Sequence, residues 1–254
     1  MIRIDLARRA VRTIVDDPGG TIRDPAVHYD GETILFSWRR AGTTSFHLYE
    51  VRADGKGLRR ITDGGGRYDE IEPAWLPDDR IAFVSSRCRR WVNCWLTQVA
   101  SMCRCNRDGS GVLPISANIE HDNTPWPLPD GRVAYMRWEY VDRSQVHYHH
   151  LWTSNPDGTG VQVLFGNLHP GSVFIDARPV PGSNWLVLID SPGHGQREHA
   201  GHVALLDPKA GPDDPSRLRR RTVGADYRDP WAVDKDTILA AKGRFLVALL
   251  PGGR

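Results

Sequence analysis

The sequence has few cysteines and none of the short cysteine motifs that hold a metal or a haem. Its four cysteines are Cys88, Cys94, Cys103 and Cys105, and they form neither a CxxC nor a CxxCH pattern. A zinc ribbon and a covalently attached c-type haem are therefore not supported. Three interpretations of the cysteines stay open: a Cys88–Cys94 disulfide across one loop, reduced buried thiols, and a metal site.

Net charge and long apolar runs are also scarce. The 33 basic and 31 acidic residues leave a net charge of +2, too small to indicate nucleic acid or an anionic membrane as a partner. No apolar stretch reaches the roughly 18 residues that a membrane-spanning helix needs. The first residues, MIRIDLARRAVRT, contain no apolar core of a signal peptide, so we expect no signal peptide in this chain.

Familiar catalytic patterns are missing as well. There is no GxSxG nucleophile motif, which argues against a serine hydrolase of that type. The glycine run at residues 64–66 reads as a loop, not as a phosphate cradle before a helix. No pair of carboxylates is singled out as the two catalytic groups of a glycosidase.

A repeated unit is present instead, and residues 68–116 show it completely. We predict strands at 72–76, 80–85, 95–103 and 112–116, separated by the turn at Pro77-Asp78-Asp79, a long crossing loop and the turn at residues 108–111. Apolar runs bounded by Asp, Gly and Pro turns are typical of β-hairpins.

Copies of this unit run along the whole chain. An anchor proline recurs at spacings of 48, 52, 54 and 51 residues, as Pro25, Pro73, Pro125, Pro179 and Pro230. Four-stranded repeats of roughly 40–50 residues are typical of β-propeller blades. We therefore predict an all-β fold, a β-propeller of four-stranded antiparallel blades with five visible repeats. The ring closes with five blades or continues in a longer, six-bladed ring, and we favour the longer ring.

These repeats set the expected boundaries of a single propeller domain, residues 1–254. Partial blades are predicted at each end and full blades between them. The ranges are 1–23 (partial), 24–66, 67–118, 119–171 and 172–224 (full), and 225–254 (partial).

Chemically rich loops connect the second and third strands of three repeats, at residues 87–95, 137–152 and 191–202. The start of the first strand and the end of the second strand of an antiparallel blade lie at the same end of the sheet. We therefore expect these loops to share one end of the propeller with the residues that precede each first strand.

Histidines and carboxylates at this end are the candidate site residues. His194, Glu198 and His199, with His121 as a further donor, could hold a divalent metal, although loop histidines bonded to backbone are the more ordinary interpretation. The carboxylates near the first strands either cap neighbouring blades or form an acidic mouth. The expected ligand- or partner-binding residues are Glu70, His121, Asp122, Arg137, Glu139, Asp176 and Arg228.

The stretch EPAWLPDDRIAFVSSR resembles the TolB-like, PD40-type propeller repeat, in which Pro-x-Trp precedes a Pro-Asp-Gly turn. A closer likeness covers residues 120–153 together with NPDGTG, GNLHPG and SPGHGQREHAG. These segments resemble the propeller region of proteins related to the hydrazine synthase alpha subunit. The resemblance implies a periplasmic-type setting and a multidomain parent protein. It carries no catalytic residue across, because that family's chemistry depends on c-type haems and this chain lacks CxxCH.

We therefore expect a non-catalytic binding or scaffold module that uses one His- and Trp-rich face for a ligand or a partner protein, with no nucleic acid and no membrane span. The alternative is a subunit or domain of a hydrazine synthase alpha-like redox enzyme with a metal or haem-linked site. A divalent metal is the cofactor left open by the histidines.

Overall fold

The computed structural model describes residues 1–195 and 197–251, and it shows antiparallel β-strands joined by turns and loops. The chain forms two compact units, Met1–Ser116 and Ala117–Arg254. Three short 3-10 turns occur at Ser86–Cys88, Pro208–Ala210 and Pro215–Arg217. In the described part of the chain, no helix is long and apolar enough to cross a membrane.

The first unit contains a hairpin and two four-stranded sheets, which we call blade 1 and blade 2. In each blade, consecutive strands pair in chain order. The hairpin is β1 (Ile2–Asp5) and β2 (Ala10–Thr13). Blade 1 is β3 (Thr21–Val27), β4 (Thr33–Arg39), β5 (His47–Arg52) and β6 (Arg59–Arg60). Blade 2 is β7 (Glu70–Trp75), β8 (Ile81–Ser85), β9 (Ser101–Cys105) and β10 (Leu113–Pro114).

The second unit contains blades 3 and 4 and a three-stranded blade 5. One parallel bridge, His149 to Val173, links blades 3 and 4. Blade 3 is β11 (Asp122–Pro127), β12 (Val133–Trp138), β13 (His149–Ser154) and β14 (Gln162–Phe165). Blade 4 is β15 (Val173–Pro179), β16 (Leu186–Ser191), β17 (His202–Leu206) and β18 (Leu218–Arg220). Blade 5 is β19 (Tyr227–Ala232), β20 (Ile238–Lys242) and β21 (Phe245–Leu249); residues 252–254 of the last expected range lie outside the described residues.

A bulge at the same place in every first strand is the local feature that the five blades share. The pairing of each first strand with the second shifts register there, and one non-glycine residue takes a positive φ of 48–58°. Such a residue is uncommon and recurs only where the surrounding structure requires it. The five residues are Asp24, Glu72, Thr124, Asp176 and Asp229.

One of the five predicted anchor prolines, Pro179, does not lie at the bulge of its blade. Pro25, Pro73, Pro125 and Pro230 each follow a positive-φ residue directly, whereas in blade 4 this place is taken by Ala177. Pro179 is the last residue of β15. The repeat follows the backbone geometry of the bulge, and proline is only one residue that suits the position after it.

The third strand of blade 2 also differs from the prediction. It runs from Ser101 to Cys105, not from residue 95. Residues 95–100 belong to the long loop, where Trp95 and Leu96 are exposed. Their apolar character predicted a strand because sequence alone does not separate a buried apolar run from an exposed one.

Apolar side chains of adjacent blades form the cores. Between blades 3 and 4, Leu151, Phe165, Phe174 and Leu188 are almost completely buried. In the first unit, Phe36 and Val51 of blade 1 pack with Val15, which follows the β1–β2 hairpin. These cores hold the strand ends in place and so fix where the connecting loops begin.

Candidate functional site

Glu70, the first of the expected binding residues, belongs to a buried ion-pair network of the first unit. Arg87 Nη2 donates to its Oε1 at 2.6 Å, and His47 Nδ1 lies 2.9 Å from its Oε2. The Arg87 guanidinium also lies over the Tyr68 ring, 5.0 Å from its centroid. Because both carboxylate oxygens have cationic or polar partners, Glu70 stabilises the loop end of blade 2 and is not placed to bind a ligand.

The loop between β8 and β9, residues 86–100, presents large apolar side chains to solvent. Trp91, Trp95 and Leu96 are 58%, 73% and 87% exposed. The backbone of this loop is ordered by cross-loop hydrogen bonds: Val92 N–H donates to the Thr97 carbonyl at 2.8 Å and Val99 N–H to the Arg90 carbonyl at 2.7 Å. We call these three side chains the tryptophan tip. Clustered exposed apolar side chains on an ordered loop are typical of interaction sites.

The four cysteines are free thiols in this structure, so the Cys88–Cys94 bridge is not formed. The Cys88 thiol donates to the Val99 carbonyl at 3.3 Å, while Cys94 is exposed in the loop. Cys103 and Cys105 are buried in β9, and burial raises the pKa of the Cys105 thiol to about 12. The thiols are thus buried only in β9, and whether Cys88 and Cys94 pair in solution stays a prediction.

Three aromatic rings of the second unit stack on one another, and we call them the ring cluster. Trp138 at the end of β12 lies 5.1 Å from His149 at the start of β13, and His194 of the next blade's loop lies 4.8 Å from Trp138 and 5.0 Å from His149, all between ring centroids. His121, which precedes β11, lies 6.0 Å from Trp138. His121, the loop at residues 137–152 and the loop at residues 191–202 therefore lie at one end of this unit, as the alternating direction of the strands predicts.

Burial makes two of these neighbouring histidines weak bases. Loss of solvation, with smaller contributions from nearby histidines, lowers the pKa of His149 to about 3. Loss of solvation also lowers the pKa of His150 to about 4, against the attraction of Glu139. The Nδ1 atoms of both residues and Nε2 of His150 are buried without a hydrogen-bond partner. Both rings are therefore neutral near pH 7 and act by packing.

The residues expected to bind a metal are only partly brought together. His194 Nδ1 lies 2.8 Å from Glu198 Oε1, which also accepts the Gly195 N–H at 2.8 Å. His199 is exposed. Over residues 1–195 and 197–251, no group of three or more His, Cys, Asp or Glu side chains is placed to hold a metal ion. His194 and Glu198 would supply two donor groups to a metal bound there.

Asp122 is fully buried. Asn118 Nδ2 donates to its Oδ1 at 3.2 Å and also to the carbonyls of His121 and Trp138. Asn118 thus ties the start of β11 to the end of β12, and Asp122 contributes to that structural network. No sequence signal distinguished Asn118 from other polar loop residues.

Arg137 and Glu139 belong to separate contacts near the ring cluster. The Arg137 guanidinium lies over the Trp152 ring, 4.8 Å from its centroid. Glu139 forms an ion pair with Arg143, whose guanidinium covers the Tyr148 ring. Both expected binding residues are therefore engaged in folding the 139–148 loop and its flanking strands.

Asp176 and Arg228 lie on first strands. Asp176 is the bulge residue of blade 4, buried, and its N–H donates to the Thr124 Oγ1 of blade 3 at 3.2 Å. Arg228 is exposed at the start of blade 5. Near these two residues, Arg178 lies between two indoles, 4.6 Å from the Trp126 centroid and 5.3 Å from that of Trp231. The sequence did not single out this group of Trp126, Arg178 and Trp231. These three residues occupy equivalent places, two positions after the bulges of successive blades, which a structure-based alignment of the repeats would have shown.

Comparison with known proteins identifies the type of fold. No protein-family model matches the sequence, and no curated protein matches it. Among solved structures, hydrazine synthase from Kuenenia stuttgartiensis superimposes with a TM-score of 0.77 at 16% identity, over 97% of this chain and 39% of that one. TolB from Acinetobacter baumannii gives a TM-score of 0.62 at 15% identity, over 98% of this chain and 59% of that one. The fold is a TolB-like β-propeller.

The TolB-like fold is shared by proteins with different activities. An oligogalacturonate lyase in complex with manganese also matches, with a TM-score of 0.61 at 16% identity over 99% of this chain and 71% of that one. Identities this low show the fold alone. This chain spans less than two thirds of the hydrazine synthase and the A. baumannii TolB chains.

Proposed function

We propose that this TolB-like propeller is a non-catalytic binding module of an extracytoplasmic bacterial protein, and that it docks a partner protein through the tryptophan tip. The observation that carries the proposal is the exposure of Trp91, Trp95 and Leu96 on one ordered loop. Tryptophan side chains contribute strongly to binding when a partner covers them, because they bury a large apolar area with few rotatable bonds.

The polar neighbours of the tip suit a protein surface. Arg89 and Arg90 precede Trp91, and Asn93 lies between the two tryptophans in sequence. An apolar centre with a polar rim is the usual anatomy of a protein interface. The buried network of Glu70 and Arg87 at the base of the loop holds the tip in a defined position, which lowers the entropy cost of binding. The TolB-like neighbours and the resemblance to extracytoplasmic proteins support the setting.

Site-specific photo-crosslinking in the native host tests this proposal. A photoreactive amino acid at position 96 should give one defined adduct, identified by mass spectrometry, and the Trp91→Ala/Trp95→Ala variant should lose that adduct while its unfolding midpoint stays unchanged. The matched control is position 168, because Leu168 is similarly exposed in another loop and should give no adduct. An adduct that persists in the double variant, or equal crosslinking at positions 96 and 168, would refute the tip as a docking site.

A redox role in a hydrazine synthase-like enzyme is the second candidate, favoured by the TM-score of 0.77 over 97% of the chain. In that case the ring cluster would serve a metal or haem-linked site, with His194 as the more exposed of its two histidines. Elemental analysis and absorbance spectra of protein purified from the native host distinguish the two. Stoichiometric metal that is lost in a His194→Ala/His199→Ala variant would favour the redox role over a purely binding one.

A further inference from the structure

A cavity of about 410 Å³ in the second unit lies outside both the tryptophan tip and the ring cluster. It is lined by the end of blade 3, by the first, second and outermost strands of blade 4, and by the loops between them. Two loops that contribute His169 and Pro215 to the lining are joined by hydrogen bonds: Gly166 N–H donates to the Pro212 carbonyl at 2.9 Å, and Leu168 N–H donates to Asp213 Oδ1 at 2.9 Å. The cavity is thus a formed feature of the fold.

One wall of the cavity carries an unusual carboxylate. Asp190 on β16 is 1% exposed. Its Oδ2 accepts from Arg220 Nε of β18 at 2.7 Å, whereas its Oδ1 is buried and has no hydrogen-bond partner. A buried charged oxygen without a donor is costly, and native structures seldom keep one unless water or a ligand supplies the donor.

Arg220 provides the opposite charge at the same place. Its side chain is 56% exposed, and only Nε contacts Asp190. The Nη groups of Arg220 have no other protein partner among the described residues, so the guanidinium group can still bind a carboxylate. The pair Asp190–Arg220 is neutral overall and presents one acceptor and one set of donors.

The other walls are apolar and aromatic. Phe165 and Phe174 are packed edge to face with centroids 5.2 Å apart, and the His169 ring stacks on Phe165 at 5.2 Å. Leu218, the first residue of β18, also lines the cavity. A pocket with an apolar wall and a few convergent polar groups is typical of small-molecule sites.

We propose that this cavity binds a free α-amino acid with an apolar side chain. Its ammonium group would supply the donor that Asp190 Oδ1 lacks, its carboxylate would pair with the Arg220 Nη groups, and its side chain would lie against Phe165, Phe174 and Leu218. A zwitterion matches the separated charges of a neutral pair, whereas a simple carboxylic acid leaves Asp190 Oδ1 unpaired. The proposal does not depend on partner docking at the tryptophan tip.

Calorimetric titration of the purified full chain with L-leucine as the probe tests this site. We expect saturable 1:1 binding, weakened about tenfold or more when the ligand lacks its carboxylate (L-leucinamide) or its ammonium group (4-methylpentanoate), because each removes a charge-assisted hydrogen bond. Asp190→Asn and Arg220→Gln should each weaken L-leucine binding about tenfold or more. Arg59→Gln is the matched control, since Arg59 is an outer-strand arginine that binds a carboxylate of its own blade, Glu50, at 2.6 Å, and it should bind as the unchanged protein does.

Three results would overturn the proposal: no saturable heat at millimolar L-leucine, equal affinity for L-leucine and 4-methylpentanoate, or unchanged binding in Arg220→Gln. The first would assign the donor of Asp190 to a bound water. Should Asp190→Asn not fold, the two analogues and the exposed Arg220 still decide the question.

Discussion

Buried polar side chains of this propeller differ in whether their polar atoms have hydrogen-bond partners. Glu70 has a cationic or polar partner on each oxygen, whereas Asp190 Oδ1 and His150 Nδ1 have no hydrogen-bond partner. Paired groups hold the fold, and unpaired ones lower stability unless something else binds them. The difference assigns structural roles to some residues that the sequence offers as binding residues.

Glu70 gives the first prediction at this scale. Its replacement by Ala leaves Arg87 and His47 without their acceptor, and we expect the free energy of unfolding to fall by about 3 kcal/mol. Urea unfolding measures this change. The control is Asp78→Ala, which removes a carboxylate from a solvent-exposed ion pair with Arg80 and should cost less than about 1 kcal/mol. Equal losses in the two variants would contradict the structural role of Glu70.

The buried histidines predict how stability depends on pH. An unfolded histidine titrates near pH 6.5, while burial lowers the pKa of His149 to about 3 and that of His150 to about 4. As the pH falls below 6.5, the unfolded chain takes up protons that the folded chain does not, so stability falls with pH. From pH 7 to pH 5 the loss is about 2 kcal/mol for each buried histidine.

Urea unfolding of His149→Phe at both pH values checks this effect. We expect the loss between pH 7 and pH 5 to shrink by about 2 kcal/mol, because one of the two buried bases is gone. His199→Gln, a change at an exposed histidine, should leave the pH dependence as it is. A pH dependence that is the same in His149→Phe and the unchanged protein would show that His149 protonates in the folded state.

The bulge is the element that defines each blade. In blade 1 the bulge carboxylate of Asp24 accepts the N–H of Glu72, the bulge residue of blade 2, at 3.1 Å. In blade 3 the hydroxyl of Thr124 accepts the N–H of Asp176, the bulge residue of blade 4, at 3.2 Å. Polar bulge residues thus join adjacent blades within each unit, which explains why carboxylates and threonine recur there in a backbone conformation that is costly for them.

Thr124 tests this link between blades. Thr124→Val keeps the shape but removes the acceptor of the Asp176 N–H, and we expect a loss of about 1–2 kcal/mol in the free energy of unfolding. Thr124→Ser keeps the hydroxyl and should lose less than about 0.5 kcal/mol, since a residue without β-branching at Cβ tolerates positive φ better. Chemical denaturation of both variants measures the difference. Equal stability of the Val and Ser variants would show that the hydroxyl contributes nothing to the contact between blades.

At the scale of the whole molecule, the reactivity of the four cysteines measures how easily the fold opens, because they differ in exposure. Cys94 is exposed, Cys88 is half-buried, and Cys103 and Cys105 are buried in β9. Only the thiolate reacts, and burial raises the pKa of Cys105 to about 12. Alkylation followed by mass spectrometry should therefore modify Cys94 first, Cys88 more slowly, and Cys103 and Cys105 only in denaturant. Rapid modification of Cys105 in the folded protein would contradict the packing of blade 2.

Much of the architecture could be predicted from spacing alone. Turn residues and prolines at intervals of about 50 residues indicated the blades, because the positive φ of a tight turn demands particular residues. Gly109 shows the strength of this constraint: a Cβ there would lie 1.8 Å from the Ile61 carbonyl oxygen. The parity of antiparallel strands likewise placed His121 and the two long loops of the second unit at one end.

The sequence by itself therefore determined the all-β repeat and the ends at which its loops meet, because local turn chemistry and strand alternation are encoded within a few residues. Only the tertiary structure decided which polar residues are already engaged. Glu70, Asp122 and Asp176 have partners 23, 4 and 52 residues away, whereas Trp95 and Leu96 are exposed although they read as a strand. Burial and pairing depend on which distant strands come together, and no short stretch of sequence records that.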